Sequence, residues 1–367
     1  MKRKILILAN SDVGLYKFRK ELLQELLNQE YEVYISLPYG EFVDDMTKLG
    51  CIFIDTPMQR RGTNPIQDFS LFRRYNKILK QIKPDVALSY TVKPNIYGGL
   101  ACASKKVPCL ANVTGLGTTI ENEGLMQKLV LKLYHMGIKN ARCVFFQNSS
   151  NEKFFRDKKI VTGKTELLPG SGVNLDNFEM TEYPENKEAV RFLFIGRIMR
   201  DKGVNELFEA AAAVKQKYTD AVFDVLGDYD EDYSEQVDRL SQEGVICYHG
   251  QQKDVRPFIK NCFAVVLPSY HEGMANVLLE GAASGRPVIA SDIPGCRETF
   301  EEGVSGFGFA PKNSSDLADK LIKFIELPYD EKKRMGANGR RLVENKFDRN
   351  IIVDKYINEI KKILEEK

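Results

Sequence analysis

The stretch Ala264-Val265-Val266-Leu267-Pro268-Ser269-Tyr270-His271-Glu272-Gly273-Met274-Ala275-Asn276-Val277-Leu278-Leu279-Glu280 joins an unbroken apolar run, a polar loop and a segment of helical periodicity that opens near Glu272. A short continuous apolar run suits a strand covered on both faces. A strand, a loop and a helix in that order make the repeating piece of a parallel sheet, with Glu272 and Glu280 at one edge of it. On one helix, eight residues put the carboxylates roughly 12 Å apart along the axis and about 80° apart around it. That is too far to share a reacting atom, since glycosidase carboxyl pairs stand about 5–9.5 Å apart. The separation suits the two ends of an elongated ligand, a sugar at one and a ribose at the other with a diphosphate between. Gly273 permits close backbone approach, and the first N–H groups of a helix donate to anions. A bare glutamate pair at this spacing is ordinarily solvated, so the neighbours decide.

The same alternation extends outward in both directions. After the pair of elements Arg191–Ile195 and Val204–Tyr218 come strand-like runs at Phe223–Leu226, Val245–Tyr248, Val265–Leu267 and Val288–Ala290. Toward the amino terminus, strands are expected at Ile5–Ala9, Glu32–Leu37, Val86–Ser89, Cys109–Asn112, Val144–Gln147 and Thr165–Leu168. Helices are expected at Phe18–Asn28, Glu41–Leu49, Phe69–Ile82, Ile96–Ser104 and Leu125–Ala141. This α/β order predicts two doubly wound, Rossmann-like parallel sheets, and 367 residues are too many for one ordinary core. Pro169-Gly170-Ser171-Gly172-Val173 marks the boundary, which assigns residues 1–170 to one domain and 173–347 to the other. The amphipathic tail Phe347–Lys367 is expected to cross back, so that 348–367 complete the first domain. The two sheets are expected to face each other across a cleft lined by strand carboxyl ends.

Lys and Arg number 53 against 51 Asp and Glu, a net charge of +2, which excludes a dedicated nucleic-acid binder and makes any anion site local. The seven cysteines are odd in number, scattered and without a C-x-x-C pair, which suggests buried reduced thiols in a cytoplasmic protein. Met1-Lys2-Arg3-Lys4 imitates a signal peptide's start, but the apolar run Ile5–Ala9 is too short for one. No run approaches the eighteen or so apolar residues of a spanning helix. The segment Leu125–Ala141 sets a wide apolar face, Leu125, Met126, Leu129, Val130, Leu133, Tyr134 and Met136, beside Lys128, Lys132 and Lys139. It is either a core helix with a basic edge or a patch that rests on anionic lipid.

Near the start of the second series, Gly196 and Arg197 end a strand and Lys202-Gly203 lead into a helix. A bidentate guanidinium, a mobile ammonium and free helix N–H groups make a diphosphate site there. Gly196-Arg197, Lys202-Gly203, Gly250, Asp254-Val255, Pro268-Ser269, Glu272-Gly273, Glu280, Gly285-Pro287-Val288, Asp292, Gly295 and Glu298 together resemble the retaining glycosyltransferases of the sucrose-synthase-like family 4, which have the GT-B fold. Tyr90-Thr91-Val92-Lys93-Pro94-Asn95-Ile96-Tyr97-Gly98 and Asn112-Val113-Thr114-Gly115-Leu116-Gly117 resemble a narrower bacterial group. Those enzymes elongate capsule, O-antigen or N-glycan precursors on undecaprenyl diphosphate.

The resemblance implies catalytic roles for Glu272, Arg197 and Lys202, with Glu272 against the donor sugar and the two bases neutralising the leaving diphosphate. It implies donor contacts from Gly196, from the backbone of Gly273, Met274 and Ala275, from Asn276, and from Glu280 on the ribose. Gly250 to Val255 would shelter the base, and Gly14, in the loop after the first strand, would approach the phosphates. Lys93, Thr114, Arg60 and Arg61 are acceptor-side candidates; Thr114 occupies the position where many relatives carry a histidine. The implied donor is a UDP-sugar such as UDP-N-acetylgalactosamine, the acceptor a polyprenyl-diphosphate-linked saccharide, and the setting the cytoplasmic membrane face, reached peripherally. No cofactor and no metal are expected. Asp228-Tyr229-Asp230-Glu231-Asp232 spells D-x-D, but it reads as a solvated acidic loop. The first loop lacks G-x-G-x-x-G, which disfavours a nicotinamide enzyme. A nucleotide-sugar epimerase and a non-catalytic binding subunit remain as alternatives.

Overall fold

The computed structural model describes residues 2–59, 64–115, 124–186 and 189–366. It divides into two compact units, Met1–Ser171 with Arg349–Lys367, and Gly172–Asp348.

In the first unit the strands are β1 (Lys4–Leu8), β2 (Glu32–Leu37), β3 (Ile52–Asp55), β4 (Val86–Tyr90), β5 (Cys109–Val113), β6 (Cys143–Phe146) and β7 (Thr165–Leu167). They pair in parallel in the order β3-β2-β1-β4-β5-β6-β7, with Ile5 beside both Val33 and Val86. β4 and β5 are buried along their whole length, which is why they are apolar without alternation. The helices are α1 (Asp12–Asn28), α2 (Val43–Leu49), α3 (Pro65–Ile82), α4 (Gly99–Lys105, entered through a wide turn at Pro94–Gly98), α5 (Leu125–Ile138) and α6 (Ser149–Asp157). Side chains one residue ahead cap three of them: Ser11 accepts from Gly14 N at 3.3 Å, Asn64 from Ile66 N at 3.1 Å, and Asn148 from Asn151 N at 2.8 Å.

The second unit holds β8 (Arg191–Ile195), β9 (Val222–Leu226), β10 (Cys247–Tyr248), β11 (Ala264–Leu267), β12 (Val288–Ser291) and β13 (Gly306–Phe309), ordered β10-β9-β8-β11-β12-β13. Its helices are α7 (Val204–Lys217), α8 (Ser234–Gln242), α9 (Arg256–Asn261), α10 (Asn276–Ala283), α11 (Ser314–Glu326) and α12 (Tyr329–Lys346). Arg286 is wholly buried, and its guanidinium donates to the carbonyls of Ile259, Ser284, Glu182 and Lys260 at 2.7–3.0 Å. Burial pulls its pKa down, and carbonyl dipoles in place of a counter-ion keep the buried cation tolerable.

The last helix, α13 (Arg349–Glu365), belongs to the first unit. Arg349 donates to Lys17 O at 3.0 Å and pairs with Glu21, while Tyr356 OH reaches Asn112 Oδ1 at 2.5 Å.

Several boundaries differ from the sequence reading. α1 opens at Asp12 because Ser11 caps it, so Gly14 lies in a first helical turn rather than a loop. α10 opens at Asn276, four residues later than expected, so Glu272 is a loop residue and the helical spacing argument for the two glutamates does not apply. The edge strands β3 and β13 and helices α6, α8, α9, α11 and α12 complete layers the sequence reading left open. Six cysteines are buried, and Cys247 is exposed. Of the wide apolar face of α5, Val130 and Tyr134 are buried, joined by Ile138, and Leu133 packs partly buried against the same cluster; Met126, Leu129 and Met136 are exposed.

Candidate active site

At the carboxyl end of β8, the backbone of Gly196 and Ile198 is tied to the strand alongside: Gly196 N donates to Leu226 O at 2.9 Å, and Ile198 N to Asp228 O at 2.8 Å. Gly227, at φ +154°, lets this happen, because a β-carbon there would collide with the Gly196 carbonyl. Arg197 is thereby presented at the sheet edge, half exposed, and pairs with Asp230 at 2.7 Å. Glu231 accepts from Arg200 N at 2.8 Å. The D-x-D loop is thus not merely solvated: its acids brace the loop that carries Arg197. A three-residue turn, Arg200–Lys202, then leads through Gly203, at φ +71° against the Pro268 carbonyl, into α7.

That turn delivers Lys202 to the loop after β11. Its Nζ lies 2.5 Å from Glu272 Oε1, which also accepts from Ser269 Oγ at 2.8 Å. Both partners are largely shielded, with side chains 20% and 15% exposed, so the pair is ordered more firmly than a surface bridge. The loop is fixed by further contacts: Tyr270 N to Asp201 O at 2.9 Å, and Ala275 N to Gly295 O at 2.8 Å. Gly295, at φ +87°, lies against the Glu272 and Gly273 carbonyls, and its own N–H donates to Glu298 at 2.7 Å. Sequence reasoning chose Lys202 and Glu272 but not Ser269, Asp230 or Gly295 as parts of the site. Only their positions among the resembling motifs signalled the first and last.

Met274 and Ala275 are buried behind this loop, Gly273 is half-buried, and Asn276 opens α10 with a buried Oδ1 that has no hydrogen-bond partner. Glu280 stands in the next turn of α10, half-buried. Gly250 takes φ +65° and accepts from Gly227 N at 3.0 Å, and Val255 caps α9. The donor-side candidates of the second unit therefore lie on the segments that follow β8, β10 and β11, all at carboxyl ends of one parallel sheet, where open α/β sheets bind ligands.

In the first unit Gly14 N is engaged by the Ser11 cap, a competing demand on the N–H expected at phosphates. Lys93 is nearly buried and pairs with Asp68 at 2.8 Å; Tyr97 OH bonds the other oxygen of Asp68 at 2.9 Å. Thr114 is half-buried just past β5. Arg60, Arg61, Leu116 and Gly117 lie outside the described residues.

Residues 4–148 match the family model described as Glycosyl transferase 4-like, and residues 176–342 the one described as Glycosyl transferases group 1. The chain is 30% identical over 372 aligned positions, covering 96% of it and 97% of the relative, to the N,N'-diacetylbacillosaminyl-diphospho-undecaprenol alpha-1,3-N-acetylgalactosaminyltransferase of Campylobacter jejuni. It is 24% identical, covering 91% of this chain and 90% of the other, to the Escherichia coli UDP-Gal:alpha-D-GlcNAc-diphosphoundecaprenol alpha-1,3-galactosyltransferase. Its fold resembles the Rickettsia africae glycosyltransferase structure at a TM-score of 0.81 and 21% identity, covering all of both chains. Anabaena Alr3699/HepE in complex with UDP follows at 0.79 and 18%, with 99% of this chain and all of that one covered. With both halves matched by glycosyltransferase models and a relative at this identity over nearly its full length, the chain belongs to the retaining glycosyltransferases of family 4 and has their GT-B fold.

Proposed function

We propose that this enzyme moves an N-acetylhexosamine, with N-acetylgalactosamine the first choice, from its UDP-sugar to a saccharide carried on undecaprenyl diphosphate. The observation that carries the reading is the Lys202–Glu272–Ser269 cluster, held on the same sheet edge as Arg197. The names of the Campylobacter jejuni and Escherichia coli relatives support the donor and acceptor classes.

In this reading Arg197 and Lys202 offset the charge that grows on the departing diphosphate, which is where electrostatic catalysis acts most strongly. Two cations there leave no need for a metal. Glu272, held through Oε1, orients the sugar hydroxyls. The acceptor hydroxyl attacks C1 on the face that UDP leaves: the C1–O bond to phosphate breaks, the new glycosidic bond forms, and the acceptor proton passes to the departing phosphate oxygen. The anomeric configuration is kept without a protein nucleophile. Glu280 would hold the ribose, Gly273 to Asn276 the sugar and phosphates, and Gly250 to Val255 the base.

Membrane contact fits α5. Met126, Leu129 and Met136 are 47%, 50% and 39% exposed, and Lys128, Lys132 and Lys139 are exposed beside them. An apolar stripe edged by lysines suits an anionic leaflet. No helix among the described residues is long and apolar enough to cross a membrane. Incubation with UDP-N-acetylgalactosamine, UDP-N-acetylglucosamine, UDP-galactose or UDP-glucose and a polyprenyl-diphosphate-linked saccharide should release UDP with at least one donor. No release with any of them, together with no UDP binding in calorimetry, would sink the reading; sugar conversion without acceptor would point to an epimerase.

A further inference from the structure

One face of the first unit's sheet gathers a thiol and two carboxylates beneath the last helix. In the pairing of β6 with β7, Phe145 stands opposite Glu166, so Cys143, two residues before Phe145, projects to the same face as Glu166. α13 covers that face: the rings of Tyr356 and Phe145 lie 4.8 Å apart, and Glu359 follows Tyr356 by three residues, on the same side of the helix. The ligand atoms of Cys143, Glu166 and Glu359 consequently lie within 4.8 Å of one another. Cys143 opens β6, so the cluster stands toward the amino end of that strand, away from the carboxyl ends that carry Lys93 and Thr114.

The Cys143 thiol is wholly buried and has no hydrogen-bond partner among the described residues. Burial pushes it up to about 12, so it is no nucleophile at neutral pH. The carboxylates beside it are neutralised from the solvent side: Lys164 and Lys362 reach Glu359 at 2.6 and 2.7 Å, and Lys355 stands 3.8 Å from Glu166. These lysine side chains are 45%, 61% and 33% exposed, so each can turn to water at small cost and open an entry path. Behind them remain one sulfur and two carboxylate groups, a mixed donor set. Calcium and magnesium take all-oxygen shells of about six or more ligands, which this cluster does not offer. Zinc takes thiolate at about 2.3 Å and carboxylate at about 2.0–2.2 Å, and the corners of such a tetrahedron lie about 3.3–3.7 Å apart. Closing the cluster to that size takes about 1 Å, within the reach of the partly exposed Glu166 side chain.

We propose that Cys143, Glu166 and Glu359 bind one zinc ion, with water in the fourth position, and that the ion pins α13 to β6 and β7. The thiol proton leaves to solvent as the zinc–sulfur bond forms, and the lysines turn outward. None of the three ligands belongs to the diphosphate site, where Arg197 and Lys202 supply the positive charge, so this zinc is structural. The test takes the full chain, stripped with a chelator and titrated with cobalt(II), a zinc mimic whose near-ultraviolet charge-transfer band reports sulfur ligation. One equivalent of cobalt should produce the band and zinc should bleach it, with a zinc Kd of about 10 µM or tighter by competition with a coloured chelator. Cys143→Ser should abolish the band, while Cys247→Ser, at the exposed thiol of the second unit, should leave it intact. Zinc at about ten times its Kd should raise the wild-type melting temperature by about 3 °C or more and leave that of Cys143→Ser unmoved. Should Cys143→Ser fail to fold, Glu166→Gln decides the matter, since its zinc affinity should fall about tenfold or more. The proposal is overturned by a wild type that shows no cobalt band, by a band that survives Cys143→Ser or vanishes in Cys247→Ser, or by unchanged zinc affinity in Glu166→Gln. None of these readouts depends on sugar transfer.

Discussion

Lys202 and Glu272 meet at 2.5 Å across 70 positions of sequence, and Ser269 completes the contact on the same carboxylate oxygen. In the proposed function a carboxylate held this way would orient a hydroxyl of the donor sugar in the transition state, whereas Glu280, a separate turn away on α10, would serve ground-state binding of the nucleotide. Glu280→Ala should therefore weaken UDP binding about tenfold or more in calorimetry, the loss of one hydrogen bond to a charged group. Glu272→Ala should leave UDP affinity within about threefold and depress kcat about a hundredfold. If both substitutions weaken UDP equally and leave kcat alone, the division of roles is wrong. The residue types at this site were legible because a carboxylate pair, an arginine and a lysine at sheet edges are unusual together. The position of Glu272 outside the helix was not legible, because the contacts that hold its loop come from Asp201 and from Gly295, both distant in sequence.

The element that aims Arg197 is the paired set of turns after β8 and β9, and Gly227 is its tightest point. Gly227→Ala should shift the Gly196–Arg197 backbone, since the added methyl cannot share space with the Gly196 carbonyl, and should cost about 1–3 kcal/mol of stability with a weaker grip on UDP. A variant with unaltered denaturation and UDP affinity would show that the turn has slack. At the other end of the molecule's chemistry, α5 turns Met126, Leu129 and Met136 outward beside its lysines. Replacing Lys128, Lys132 and Lys139 together by Glu should abolish sedimentation with anionic vesicles, since each cation contributes about 1 kcal/mol near such a surface. Retained binding would remove α5 from the membrane face. Among elements, strands buried on both faces, such as β4 and β5, announce themselves as apolar runs. β3 does not, because as an edge strand it is exposed at Ile52 and Asp55, and β13 carries glycine at alternate positions. The outward face of α5 was ambiguous because an apolar stripe looks the same in sequence whether protein or lipid covers it.

Across the whole molecule, the alternation of strand and helix made both sheets legible, and the crossing of α13 back to the first unit followed from its apolar spacing. What the spacing did not reveal is the polar anchoring. Glu359 on α13 is nearly buried and bonds Lys164 at 2.6 Å and Lys362 at 2.7 Å. Burial alone would raise its pKa, but the two lysines outweigh it and hold the carboxyl below its ordinary value of 4.5. A depressed carboxyl contributes stability above its unfolded pKa and loses it as pH falls through the folded one. The melting-temperature advantage of the wild type over Glu359→Gln should thus be full at pH 7 and shrink as pH drops below about 4.5; an advantage that grows on acidification would contradict the assignment. The central claim, transfer from a UDP-sugar with retention, is tested most directly by the anomeric configuration of the product. Purified enzyme, UDP-N-acetylgalactosamine and a polyprenyl-diphosphate-linked saccharide should give, by proton NMR, an α-linked product from the α-linked donor, with one UDP released per sugar transferred. A β-linked product, or UDP release without any new glycosidic bond, would contradict the account.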